Sequence, residues 1–119
     1  MLDRVELRRR EEGGQEARVV ADIHEDGARL DVTVNGKRTK HDVDAARFDT
    51  VSATLEGAAI APVPAHAREG APVGFEVILT TGMSQSVFRW VGATPATWEP
   101  VARMADALLV LGRELSRAV

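Results

Sequence analysis

The chain predicts an α+β fold. It reads as an antiparallel sheet of about six strands in the order β-β-β-β-α-β-β-α, with a short helix and a long C-terminal helix packed on one face. Three observations predict it. Residues 2–43 alternate apolar and charged side chains in short runs broken by glycine turns. Residues 73–91 hold two more such runs around Thr81-Gly82-Met83-Ser84. The C-terminal stretch then carries a broad apolar stripe at helical spacing, opened by Trp98.

Leu2–Glu11 sets Val5 and Leu7 on one face and Arg4, Glu6, Arg8 and Arg10 on the other. Glu11–Gln15, with Gly13-Gly14, is a turn, because paired glycines supply positive φ without steric cost. Ala17–His24 sets Val19, Ala21 and Ile23 against Arg18, Val20, Asp22 and His24. Glu25-Asp26-Gly27 turns the chain again. Arg29–Asn35 places Leu30, Val32 and Val34 inward, with Arg29, Asp31 and Thr33 outward. Asn35-Gly36 is a strong two-residue hairpin signal, and Lys37–Val43 is its return strand. That strand is polar and lysine-bearing, which suits a sheet edge.

The period changes at Asp44–Gly57. Phe48, Val51 and Leu55 fall on one helical face, with Asp44 as N-cap and Gly57 beyond the C-terminus, while Thr50, Val51 and Thr54 leave a strand open as the alternative. Residues 58–72 are rich in proline and alanine and read as an extended crossover loop. Val73–Thr80 and Ser86–Val91 form a second hairpin. The final helix starts near Pro95 or Ala96, capped by Thr94 or Thr97. Trp98, Val101, Ala102, Ala105, Leu108, Leu109, Gly112 and Leu115 form its stripe, which Met104 and Leu111 widen. An arc this wide touches two surfaces: the sheet together with the short helix, or the sheet together with a second chain.

A length of 119 residues fits one domain over 1–119. The absence of cysteine excludes disulfides, thiolate metal sites and a cysteine nucleophile. The N-terminus lacks the apolar region of a signal peptide, and no apolar run spans a bilayer, so the reading is cytoplasmic, with no membrane partner. A net charge of −3 argues against a nucleic-acid partner. Arginine supplies nearly all the positive charge, and alanine and valine are abundant, a codon bias of GC-rich bacterial genomes.

No G-x-S-x-G elbow, helical H-E-x-x-H, P-loop or dinucleotide-binding glycine motif occurs. Thr80–Ser86 has the small polar character of a phosphate loop, but a strand follows it and a hairpin turn accounts for it. His66 lies in the loop beside Arg68 and Glu69 without an orienting group. Asp22 and His24 share one strand face, and His41 would supply a third metal ligand if its strand lay alongside. Trp90 and Trp98 suit a core cornerstone better than a ligand platform.

These readings give a leading expectation and two alternatives. The first is a non-enzymatic protein-binding module of immunity-protein or adaptor type, without a cofactor. It docks through a charged sheet face on which Arg4, Arg8, Arg9, Arg10, Arg18 and Arg29 cluster among acids such as Asp31, or near Met83 at the hairpin tip. The second is a small metal-dependent or small-molecule-processing enzyme using Asp22, His24 and His41. The third is a self-associating subunit, with a homodimer interface through Met104, Val110 and Leu111 of the last helix.

Overall fold

Asn35 and Gly36 both adopt positive φ, at 53° and 77°, the type I′ geometry whose twist matches that of paired strands. The register of the sheet on this side is set from that turn. The computed structural model describes residues 2–10, 16–53, 74–91, 94 and 98–117. Its elements are β1 (Arg4–Arg10), β2 (Glu16–His24), β3 (Gly27–Val34), β4 (Lys37–Asp44), α1 (Ala45–Ser52), β5 (Gly74–Thr81), β6 (Ser84–Val91) and α2 (Glu99–Arg117). The predicted α+β order is the observed one. The predicted turn at Glu11–Gln15, the loop at 58–72 with His66, Leu55, Gly57 and the start of the last helix at residues 95–97 lie outside the described residues.

The six strands form one antiparallel sheet in the order β4-β3-β2-β1-β5-β6. Consecutive strands β1 to β4 meander outward, and β4 ends the sheet, as its polar composition predicts. β5 returns to the free side of β1, which places the N-terminal strand in the middle of the sheet. Asp3 locks this arrangement. Its N–H donates to the Thr80 carbonyl at 2.8 Å, and its own carbonyl accepts from the Ile23 N–H at 2.9 Å. Its side chain also accepts from the Gly82 N–H at the hairpin tip. Positive φ at Gly82, the first central residue of that turn, without positive φ at Met83 is the type II′ pattern.

Both helices cover one face. Val5, Leu7, Val19, Ala21, Leu30, Val32 and Val77 point into the core from the sheet, while Phe48, Val51, Val101, Ala105 and Leu108 meet them from the helices. Asp44 caps α1 as predicted, its carboxylate accepting from the Arg47 N–H at 2.8 Å. α2 lies across β1, β2 and β3 and also packs on α1. Gly112 permits the close approach: a Cβ there would sit 2.9 Å from a Val19 methyl. Of the two surfaces offered to the wide stripe, the structure selects the sheet and the short helix.

That choice corrects two expectations. Met104 and Leu111 are buried in the core of their own chain, so neither is available to a helix-to-helix interface; of the three, only Val110 is exposed, at 57%. Arg9 belongs with Val5 and Leu7 on the inner face by strand alternation, not with the outer arginines. It sits opposite Phe75, its guanidinium carbon 5.2 Å from the ring centre.

Candidate functional site

The face of the sheet turned away from the helices carries the charge. Cross-strand register arranges it in levels. One level reads Asp42, Arg29, Asp22, Arg4 across β4 to β1, with the sign alternating at every strand. Directly opposed unlike charges stabilise a sheet by a few tenths of a kcal/mol per pair, roughly 0.2–1. The next level reads Lys40, Asp31, Val20, Glu6, Ile78, Val87 across all six strands. The third reads Arg38, Thr33, Arg18, Arg8, Glu76, Arg89.

This third level is unusual for a face that serves folding alone. Arg8 and Arg18 stand directly opposite each other on adjacent strands. Like charges so placed are destabilising. The neighbouring levels relieve them in part: Arg8 pairs with Glu16 at 2.6 Å, and Arg18 approaches Glu6 at 3.8 Å. Arg89 pairs with Glu76 at 2.6 Å. The arginine row is therefore held up by acids on its flanks.

Between these levels lies a depression of about 290 Å³, lined by Arg4, Arg18, Val20, Asp22, Asp31, Thr33 and Arg38. Val20 is its floor. It is on the outer face, yet only 7% exposed, because the long charged side chains around it rise above its methyls. The wall at Arg38 is the most ordered part. Arg38 Nε donates to both Asp31 oxygens, at 2.9 and 3.1 Å, and its Nη2 adds a third bond to the same carboxylate. Such forked pairs fix geometry as well as charge. The Arg4 wall is looser, 3.6 Å from both Glu6 and Asp22.

The forked hydrogen bonds from Arg38 hold the Asp31 carboxyl below its ordinary value, against a smaller opposing effect of partial burial; the charges of Arg38, Lys40 and Arg18 add to the lowering. A lowered carboxyl stabilises the fold above its unfolded-state pKa and loses that contribution as pH falls through the folded one. The contribution is small, because the pair is largely exposed. In a carboxyl-detected NMR titration, Asp31 is expected to titrate below an ordinary aspartate. In Arg38→Gln its midpoint should move upward. An Asp31 midpoint unmoved by that change would remove Arg38 as the cause.

No protein-family model matches the chain, and no curated protein matches it.

The residues predicted from sequence divide into three groups. Arg18 and Asp31 line the depression and Asp22 joins them; Arg8 adjoins through its register with Arg18. Arg29 stands between Asp22 and Asp42, and Arg10 ends β1 opposite Glu16 and Gly74. Met83 is fully exposed, but it tips the β5–β6 hairpin, whereas the depression is built by β1 to β4.

The three proposed metal ligands do not converge. Asp22 and His24 project from the outer face. His41 is opposite Leu30 and shares the inner side of β4 with Thr39 and Val43, its Nε2 2.8 Å from the Thr39 hydroxyl. The sheet lies between His41 and the other two. Among the described residues no cluster of three metal-ligating side chains forms.

Sequence reasoning missed Arg38 and Val20. Both left a signal. The Asn35-Gly36 turn pairs Val34 with Lys37, so Thr33 faces Arg38 and Asp31 lies one diagonal away. Val20 is the lone apolar residue among charged neighbours on its strand face.

Proposed function

We propose that this chain is a protein-binding module that docks through the outer sheet face, with the arginine row and the polar depression beside it receiving charged groups of the partner, carboxylates at the row. The observation that carries this reading is the row itself. Arg38, Arg18, Arg8 and Arg89 share one level whose other members are Thr33 and a single acid, Glu76, and Arg8 opposes Arg18. A face selected for stability alone would alternate, as the level through Asp42, Arg29, Asp22 and Arg4 does. Arg18, whose acid Glu6 stands 3.8 Å away, is the most loosely held member of the row and gains most from a carboxylate of the partner. Charge complementarity of this kind speeds encounter and rejects wrong partners.

Neither helix crosses this face, and among the described residues none covers it. No helix among them is long and apolar enough to cross a membrane. Inhibition of a toxin and adaptor work within a bacterial assembly both use a surface of this character. A reading frame for a toxin-like protein immediately upstream would favour the first.

Affinity purification from the native host tests the proposal when wild-type protein is run beside Arg8→Glu/Arg18→Glu and an α2 control, Arg103→Glu. The expected result is a stoichiometric partner held by wild type and control, with at least about tenfold weaker binding to the double reversal. Raised salt should slow association first. A partner held equally by all three proteins, or none at all, would overturn the reading.

A further inference from the structure

The two ends of the sheet are built differently. β4 closes one end and carries Lys37, Arg38, Lys40, Asp42 and Asp44, charges that discourage a second strand from pairing there. β6 closes the other. Its eight residues contain one charge, Arg89, and neither proline nor glycine.

The hairpin turn fixes which backbone groups of β6 face outward. In a two-residue hairpin the residues flanking the turn exchange both backbone hydrogen bonds. Thr81 and Ser84 are that pair. The even-numbered residues of β6 thus direct N–H and C=O at β5, and Gln85, Val87 and Arg89 direct theirs away from the sheet. The bond from Asp3 N–H to the Thr80 carbonyl, on the opposite side of β5, agrees with this alternation. Among the described residues no strand pairs with the outer side of β6. Val87, in the middle of this edge, is 48% exposed and stands beside Ile78 on the outer face.

We propose that this edge joins a second copy of the chain, β6 to β6 antiparallel about a two-fold axis at Val87, making one continuous sheet across a homodimer. A two-fold interface must be complementary to itself, and β6 is. With the axis at Val87, that residue exchanges both backbone hydrogen bonds with its counterpart, and the two half-exposed valines cover each other. Arg89 then faces Gln85 of the partner subunit, which offers an amide oxygen instead of a like charge. Ser86 faces Phe88 of the partner subunit on the inner side. An axis at Arg89 would set the guanidinium against itself, and an axis at Phe88 would set Val87 against arginine. The same operation on β4, with the axis at its mid-strand Lys40, would set that lysine against itself. This interface touches the arginine row only at Arg89; its axis residue, Val87, lies outside that row, so it stands or falls without the partner proposed above.

Light scattering on a size-exclusion column is the test. Wild-type protein is expected at twice the 12.8 kDa chain mass. Val87→Lys and Val87→Glu should each run at the single-chain mass, because each opposes like charges at the axis. An equimolar mixture of the two should recover the doubled mass. Near-UV circular dichroism of the buried tryptophans checks that both variants remain folded. Amide exchange on wild type alone gives a second readout, with protection at Gln85, Val87 and Arg89 that rises with protein concentration. Wild type at single-chain mass, a dimer surviving in Val87→Lys, a mixture that stays monomeric, or rapid exchange at Val87 would each overturn the proposal.

Discussion

Replacing Trp98 with alanine is expected to cost ~3–5 kcal/mol of folding free energy. In a domain of this size that lowers Tm by roughly 10–25 °C. Trp98 is 1% exposed and immediately precedes α2. Its ring meets Phe88 edge-on, with centroids 5.2 Å apart at 89°, and lies 6.3 Å from Trp90. Trp90 in turn stacks on Phe75 at 5.1 Å. These four rings tie the β5–β6 hairpin to α2. Alanine would leave a cavity that its two ring neighbours, Phe88 and Trp90, held on a hydrogen-bonded hairpin, cannot collapse to fill. Trp98→Phe should lose less, since an aromatic edge remains for Phe88. Urea unfolding followed by near-UV circular dichroism measures both. A melting curve unchanged in Trp98→Ala would detach this ring from the core and from the anchoring of α2.

Gly27→Ala is expected to lose ~2–5 kcal/mol, through a strained backbone and a steric overlap acting together. Gly27 opens β3 with φ of 152°, and a Cβ there would lie 2.0 Å from the Val43 carbonyl oxygen. The obstacle is backbone of the neighbouring strand, so no side-chain rotation relieves it. β3 and β4 would have to part where Asp44 caps α1 and where the Ala45 N–H donates to the Asp26 carbonyl at 3.0 Å. The change therefore threatens α1 as well as the ladder. Gly36→Ala is the matched comparison. Its φ is also positive, at 77°, but a Cβ there meets nothing within 4 Å. Its loss should be limited to about 1–2 kcal/mol of left-handed strain. Equal effects at the two positions would show that conformation alone sets the cost and that the Val43 contact is immaterial.

The β3–β4 hairpin explains how much of the site was legible. Its turn type and alternation are local, and they place Asp31 outward and His41 opposite Leu30. The separation of His41 from Asp22 and His24 follows from that register alone, so the metal expectation fails on a pairing already implied by Asn35-Gly36. The Asp31–Arg38 fork follows from the same pairing. Val20 was different. Its alternation put it on the wet face, and only the height of the surrounding arginine and aspartate side chains buries it. The wide stripe of α2 announced two contact surfaces, but Met104 and Leu111 are buried within their own chain by the packing of α2 across the sheet and on α1, which helical periodicity does not encode.

By itself the amino-acid order determined the strands, their faces, the hairpin turns, the α1 cap and the apolar side of α2. Each of these depends on residues within a few positions of one another, through side-chain alternation, positive φ or helical spacing. The tertiary structure alone decided that β1 lies between β2 and β5, that Arg9 rests on Phe75, that four arginines share one level, and that β6 ends the sheet. Those outcomes depend on the register between strands distant in the chain. A slip of one residue there turns every side chain of a strand to the opposite face, so the choice is made by the burial of the whole core and not by any local run of sequence.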